Sequence, residues 1–146
     1  AADKLGYIDL SRTFSEYYKT KDYDKVLTDK TTAYETERDK KVNEVKQLQD
    51  KMNLLSEKEK SSKQGEFEGK IKALKDYDQS KQTDLRKEQD EKMKEILKDI
   101  EDTVKQYSEK EGYTMVFNDR VLVYQTKTLD ITDAIIKILN SKTTKK

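Results

Sequence analysis

From about Lys21 to Glu111 the chain contains no proline, and its few apolar residues recur at three- and four-residue intervals among lysine, glutamate and glutamine. A strand pattern would alternate with period two and be broken by turn residues. This segment is helical in pattern, and its apolar residues fall on narrow stripes along which such helices pair. Val45, Leu48, Met52 and Leu55 follow the 3-4-3 spacing of a coiled-coil seam. Phe67, Ile71 and Leu74 form a second stripe, which Met93, Ile96, Ile100, Val104 and Tyr107 extend. Glu37–Lys41, Glu59–Lys63, Glu66–Lys70, Glu88–Lys92 and Glu101–Lys105 are spaced for favourable i,i+4 ion pairs.

Gly65 and Gly69 interrupt this tract, in "SSKQGEFEGKIKAL". A phosphate-binding loop needs four residues between its glycines and Ser or Thr after the lysine. Here the spacing is shorter and Ile71 follows Lys70, which excludes that reading. A domain linker would separate two cores, and neither flank has one. A helical hairpin fits best, with its tip near 61–69 and the chain reversing near Ser62. That register sets Leu55 near Ile71, Met52 near Leu74 and Leu48 near Tyr77. Farther from the tip, Val26 and Leu27 come opposite Ile96, Leu97 and Ile100. Between these contacts, Glu35 to Lys41 faces Leu85 to Lys92 with almost no apolar seam, so the middle of the arm is expected to be loose.

Composition removes most chemistries. Of 146 residues, 42% are charged and the net charge is +1, so nothing general draws the chain to nucleic acid or anionic lipid. With no cysteine and no histidine, it cannot build a thiolate or imidazole metal site or a Ser-His-Asp triad. Only carboxylates, lysines and tyrosines remain, and Asp76-Tyr77-Asp78 reads as surface charge on a solvated helix, so no catalytic residue, cofactor or metal is expected. No apolar run approaches the ~20 residues that span a membrane, so stable membrane insertion is not expected. The start, "AADKLGY", fits the remainder after cleavage at a small-residue site, which would place the protein outside the cytoplasm.

The two ends differ from the middle. Lys4 to Leu10 reads as a short strand, and Asp9 or Ser11 can cap a short helix carrying Phe14, Tyr17 and Tyr18. Gly112 stands where a helix C-terminus wants a left-handed residue. "YTMVFNDRVLVYQ" then alternates; Asn118-Asp119 is expected to turn a hairpin and Val121 to Tyr124 to return as a strand. In "LDITDAIIKILN" the acids Asp130 and Asp133 mark a helix start, with Ile131, Ala134, Ile135, Ile138 and Leu139 as its apolar stripe. The tail "SKTTKK" is expected to fray. The expected organisation is α+β: residues 1–20 and 112–146 form a small strand-rich body, and 21–111 form a helical-hairpin arm.

So small a body buries too little apolar surface to fold alone without disulfides or metals, and its strands leave open edges. Joining those edges between copies would bury Leu5, Tyr7, Ile8, Met115, Val116, Phe117, Val121 and Val123, with Ile131 and Ile135 behind them. "LGYIDLSRTF" at the start, the charged helical middle, and "EGYTMVF…VLVY…LDITDAIIKILN" at the end together resemble the Skp/OmpH family of periplasmic chaperones. The resemblance covers the whole chain and is specific at its ends. It implies a jellyfish-like homotrimer, with "KLGYIDL", "YTMVFN" and "VLVYQ" as body strands and three arms around a cavity. It also implies periplasmic location and ATP-independent holding of unfolded outer-membrane β-barrel proteins. The expected client contacts lie near the tip: Met52, Leu55, Phe67, Ile71 and Leu74, with Lys63, Lys70, Lys72 and Lys75 around them. The other class of reading is a coiled-coil scaffold whose hairpin binds one defined partner.

Overall fold

A computed structural model describes residues 2–142; the expected fraying of the tail beyond Lys142 lies outside them. Strand β1, Leu5–Ile8, leads into helix α1, Leu10–Glu16. Two long helices follow, α2, Tyr18–Asn53, and α3, Glu57–Glu111. Strand β2, Met115–Asn118, two short 3-10 turns and helix α4, Thr132–Ser141, complete the chain. Among the described residues no helix is long and apolar enough to cross a membrane. The chain divides into two compact units, residues 1–25 with 90–146, and residues 26–89.

The first unit has its own core. β1 and β2 run parallel, with Leu5 opposite Met115 and Tyr7 opposite Phe117. On the other side of β1, Tyr7 bridges to Asp130, and the Ile131 amide donates to the Tyr7 carbonyl at 3.0 Å. Ile8, Tyr17, Ile131, Ile135 and Leu139 pack with Ile96 and Ile100 of α3. The unit therefore takes in the ends of both long helices, beyond the 1–20 and 112–146 segments read from sequence. The two isoleucines bury their side chains here because α4 presents an apolar face to them.

Local chemistry sets the element boundaries. Asp9 caps α1, its carboxylate accepting from the Arg12 amide at 2.9 Å. Just before α4, whose N-cap position is Ile131, the Asp130 carboxylate accepts from the Thr132 amide at 2.9 Å. Buried Thr132 in turn accepts from the Asp9 amide at 2.9 Å, tying the two helix starts together. Gly112, with φ +81°, ends α3 in the left-handed conformation that a Cβ disfavours. Gly6 leaves room for the Tyr113 ring, which would lie 2.9 Å from any Cβ placed there.

Two expectations are corrected here. No hairpin follows β2: Asn118 instead caps a 3-10 turn over Asp119–Val121, and Leu122 to Thr126 lie in no strand. β2 has its ladder partner in β1, and a returning strand within one chain finds no partner of its own among the described residues. The reversal of the long hairpin also comes earlier than 61–69. α2 ends at Asn53 and α3 starts at Glu57, so the tip is Leu54–Ser56. Ser56 caps α3, accepting from the Glu59 amide at 3.3 Å, and Glu57 and Glu59 complement the positive end of the helix. Gly65 and Gly69 lie inside α3 with open space around them.

Candidate functional site

The second unit is a helix pair with little buried apolar surface. Met52, 8% exposed, is the one buried hydrophobic residue among the described residues of 26–89. Cross-helix polar and aromatic contacts do much of the pairing instead. Lys30 Nζ meets Glu88 Oε1 at 2.6 Å, and Lys70 lies 3.8 Å from Glu44. Between them sits a cluster around Asp78. The Tyr34 hydroxyl donates to Asp78 Oδ1, and Arg38 Nε donates to the same oxygen at 3.2 Å. Gln82 Nε2 reaches the Tyr34 hydroxyl at 3.3 Å. The Tyr34 and Tyr77 rings stack with centroids 6.1 Å apart, and Lys41 Nζ stands 5.1 Å over Tyr77. The hydrogen bond to Asp78 pushes the Tyr34 phenol above its ordinary pKa, because ionising it would discard the donated proton.

This register differs from the expected one. Tyr77 meets Tyr34 and Lys41 rather than Leu48, because the chain reverses at Leu54–Ser56. The middle of the arm is not empty either. Arg38 and Lys41 engage Asp78 and Tyr77, so Asp78 is a cross-helix acceptor rather than mere surface charge. Of the five expected i,i+4 pairs, only Glu37–Lys41 forms among the described residues, at 3.5 Å. Glu88 and Lys70 turn to the opposite helix instead.

Beside the Tyr34–Tyr77 pair lies a groove of about 310 Å³. Ala33 and Leu85 supply its aliphatic wall, and Lys30, Lys81, Asp84 and Glu88 its polar rim. Neither the groove nor the cluster follows from the apolar spacing: Tyr34 lies off the stripes, Tyr77 is expected opposite Leu48, and the meeting of the two tyrosines depends on the register.

The expected contact residues separate by exposure. Met52 is buried, while Leu55, Phe67, Ile71 and Leu74 are half-buried, as residues lining a two-helix seam are. Lys63, Lys72 and Lys75 face solvent, and Lys70 is tied to Glu44. The most exposed apolar side chain at the tip is Leu54, at 88%, which the apolar spacing alone does not single out. The "SEKE" capping box at Ser56–Glu59 was the signal that could have placed the tip and found Leu54.

The expected interface residues divide in the same way. Tyr7, Ile8, Ile131 and Ile135 are buried within their own chain. Ile135 in particular is fully enclosed by the helix ends packed on α4. Leu5, Met115, Val121 and Val123 are exposed, Val123 completely, at 105%. Val116 and Phe117 are half-buried and border a second groove of about 340 Å³, walled by Leu10, Leu97 and Val104. Among the described residues no group of acidic side chains converges to hold a metal ion.

A helix pair with a polar seam, joined in sequence to a small parallel-stranded unit, matches the family model "Outer membrane protein (OmpH-like)" over residues 4–139. The chain belongs to that family. Among its relatives is the Chaperone protein Skp of Pectobacterium atrosepticum, 26% identical over 141 residues that make up 94% of this chain and 86% of the relative. Among solved structures, a protein from Caulobacter crescentus CB15 described as an outer membrane chaperone (OmpH-like) superposes with a TM-score of 0.84. That match is 14% identical, covers 97% of this chain and 86% of the other, and shows a shared fold.

Proposed function

We propose that this protein is a chaperone that holds unfolded outer-membrane β-barrel proteins without nucleotide, in the periplasm, as a homotrimer. The name of the Skp relative supports the chaperone role, and the family's description supplies the outer membrane. The observation that carries the mechanism is the arm's seam: apart from Met52, the described residues of 26–89 bury no hydrophobic side chain fully. Such a helix pair presents half-buried apolar groups beside many charges, offering numerous weak contacts and no single tight pocket. A client held this way stays mobile and can leave without fuel. Leu54, Leu55, Phe67, Ile71 and Leu74 are the proposed apolar contacts, with Lys63, Lys72 and Lys75 supplying charge around them. No catalytic residue is assigned.

Assembly is proposed through the strand-bearing unit. β2 has β1 on one side and no strand on the other among the described residues. Val121, 69% exposed, and the fully exposed Val123 follow it. An open edge, an apolar groove beside it and an uncovered β-branched segment fit one another when copies meet around a closed ring.

The test is native mass measurement followed by aggregation suppression of an unfolded β-barrel protein without nucleotide. A trimer that keeps several unrelated barrels in solution is expected. One saturable partner, with no effect on the aggregation of unrelated clients, would establish the scaffold reading instead.

A further inference from the structure

We propose that the groove beside the Tyr34–Tyr77 pair is a subsite for one aromatic side chain of an extended client; this rests on the chaperone reading. Its walls are pre-set. Asp78 holds Tyr34 by a hydrogen bond, Lys41 Nζ stands 5.1 Å over Tyr77, and the two rings stack on each other. An incoming ring therefore meets tyrosine side chains that are already ordered, so binding does not have to order them. At about 310 Å³ the groove lies at the small end of ligand pockets, roughly 300–1,000 Å³, and suits one side chain rather than a helix or strand.

Charge selects the occupant. The rim carries two lysines, Lys30 and Lys81, and two acids, Asp84 and Glu88, and Lys30 is already paired with Glu88 at 2.6 Å. A balanced rim gives no purchase to a phosphate or a charged side chain. It suits a neutral group with an apolar body and a polar edge, which describes tryptophan and tyrosine. Chains that fold into membrane β-barrels are rich in such residues, which form the girdles at both membrane interfaces. The subsite would thus favour the segments that later meet the membrane interface.

The probe is a short Gly/Ser/Thr peptide carrying one tryptophan, added to the full chain. The protein has no tryptophan, so the emission reports the peptide alone. Saturable blue-shifted emission is expected, with movement of the Tyr34 and Tyr77 ring resonances. Ala33→Leu fills the groove without touching the Asp78 cluster, and should weaken binding by about two- to tenfold while leaving arm helicity unchanged. A peptide with leucine in place of tryptophan should compete as poorly. Unshifted emission, still ring resonances, or unchanged affinity in Ala33→Leu each overturns the subsite. If the wild-type chain still keeps an unfolded barrel in solution, only the subsite falls; if it does not, the chaperone reading falls with it.

Discussion

The Tyr17 hydroxyl donates to Asp99 Oδ2 at 2.7 Å, although the two residues stand 82 positions apart in the chain. Lys19 Nζ reaches the same oxygen at 2.8 Å. One carboxylate thus binds the start of α2 to α3 at the edge of the isoleucine core. Burial raises the Asp99 pKa, but the bonds from Lys19 and Tyr17 outweigh it and hold the group below the ordinary carboxylate value. Burial and the bond to Asp99 push the Tyr17 phenol well up, and the bond to Asp99 raises Lys19.

These directions set a pH window. Asp99 is depressed, so its contribution is complete above the ordinary carboxylate range and is lost as pH falls through its folded value. Tyr17 and Lys19 are raised, so theirs is complete below their unfolded values and fades as pH climbs through the folded ones. The strand-bearing unit should therefore lose melting temperature below pH about 4 and above pH about 10. Asp99→Asn should cost roughly 1.5–3 kcal/mol at neutral pH, as a hydrogen bond to a charged group does, and should flatten the acid side of the curve. Circular dichroism melts across pH check this; equal acid losses in the two proteins would assign the effect to other carboxylates.

Glycine substitutions separate the two candidate tips. Gly65 and Gly69 lie in helix with open space where a methyl group would project, so Gly65→Ala and Gly69→Ala should each stabilise the arm by about 0.5–1 kcal/mol. Gly112, at φ +81°, should respond the other way, Gly112→Ala costing about 1–2 kcal/mol. Thermal unfolding reads all three. A loss of stability in the first two would return the reversal to 61–69.

Val123→Asp tests assembly without touching the core of the single chain. The side chain is fully exposed there, so a folded monomer would not register the change. In a trimer that covers Val123, a buried unpaired carboxylate costs several kcal/mol and the assembly should dissociate. Ile8→Asp cannot make this distinction, because Ile8 is buried in its own chain. Native mass before and after substitution decides; an unchanged trimer would place Val123 outside the interface.

Asp78→Ala should loosen the arm, since Tyr34, Arg38 and Gln82 all converge on that side chain or on the hydroxyl bound to it. Faster amide exchange is expected around Tyr34 and Tyr77, with the strand-bearing unit unchanged. Arg38→Leu with Lys41→Leu extends the apolar spacing of Val45, Leu48, Met52 and Leu55 by two positions, yet it should loosen the arm, because it removes a bond to Asp78 and the cation over Tyr77. Slower exchange in that double variant would show that an apolar seam outweighs the polar cluster.

By itself the sequence determined the long helices, the strands at Leu5–Ile8 and Met115–Asn118, the cap at Gly112, the apolar face of α4, and the resemblance that family membership then upheld. These are local or periodic properties, carried by neighbouring residues through backbone geometry and the spacing of apolar groups. The tip was locally encoded too, in the Ser56–Glu59 box, but two glycines spoke louder than a cap. The register of α2 against α3 was decided only in tertiary structure. A thin seam repeats nearly equally at several offsets, so the choice falls to the position of the reversal and to pairs such as Tyr34–Asp78 and Lys30–Glu88. The same holds for the absent third strand. Residues 121–124 have the propensity, but a strand exists only when a partner accepts its hydrogen bonds, and that partner is not specified by the segment itself.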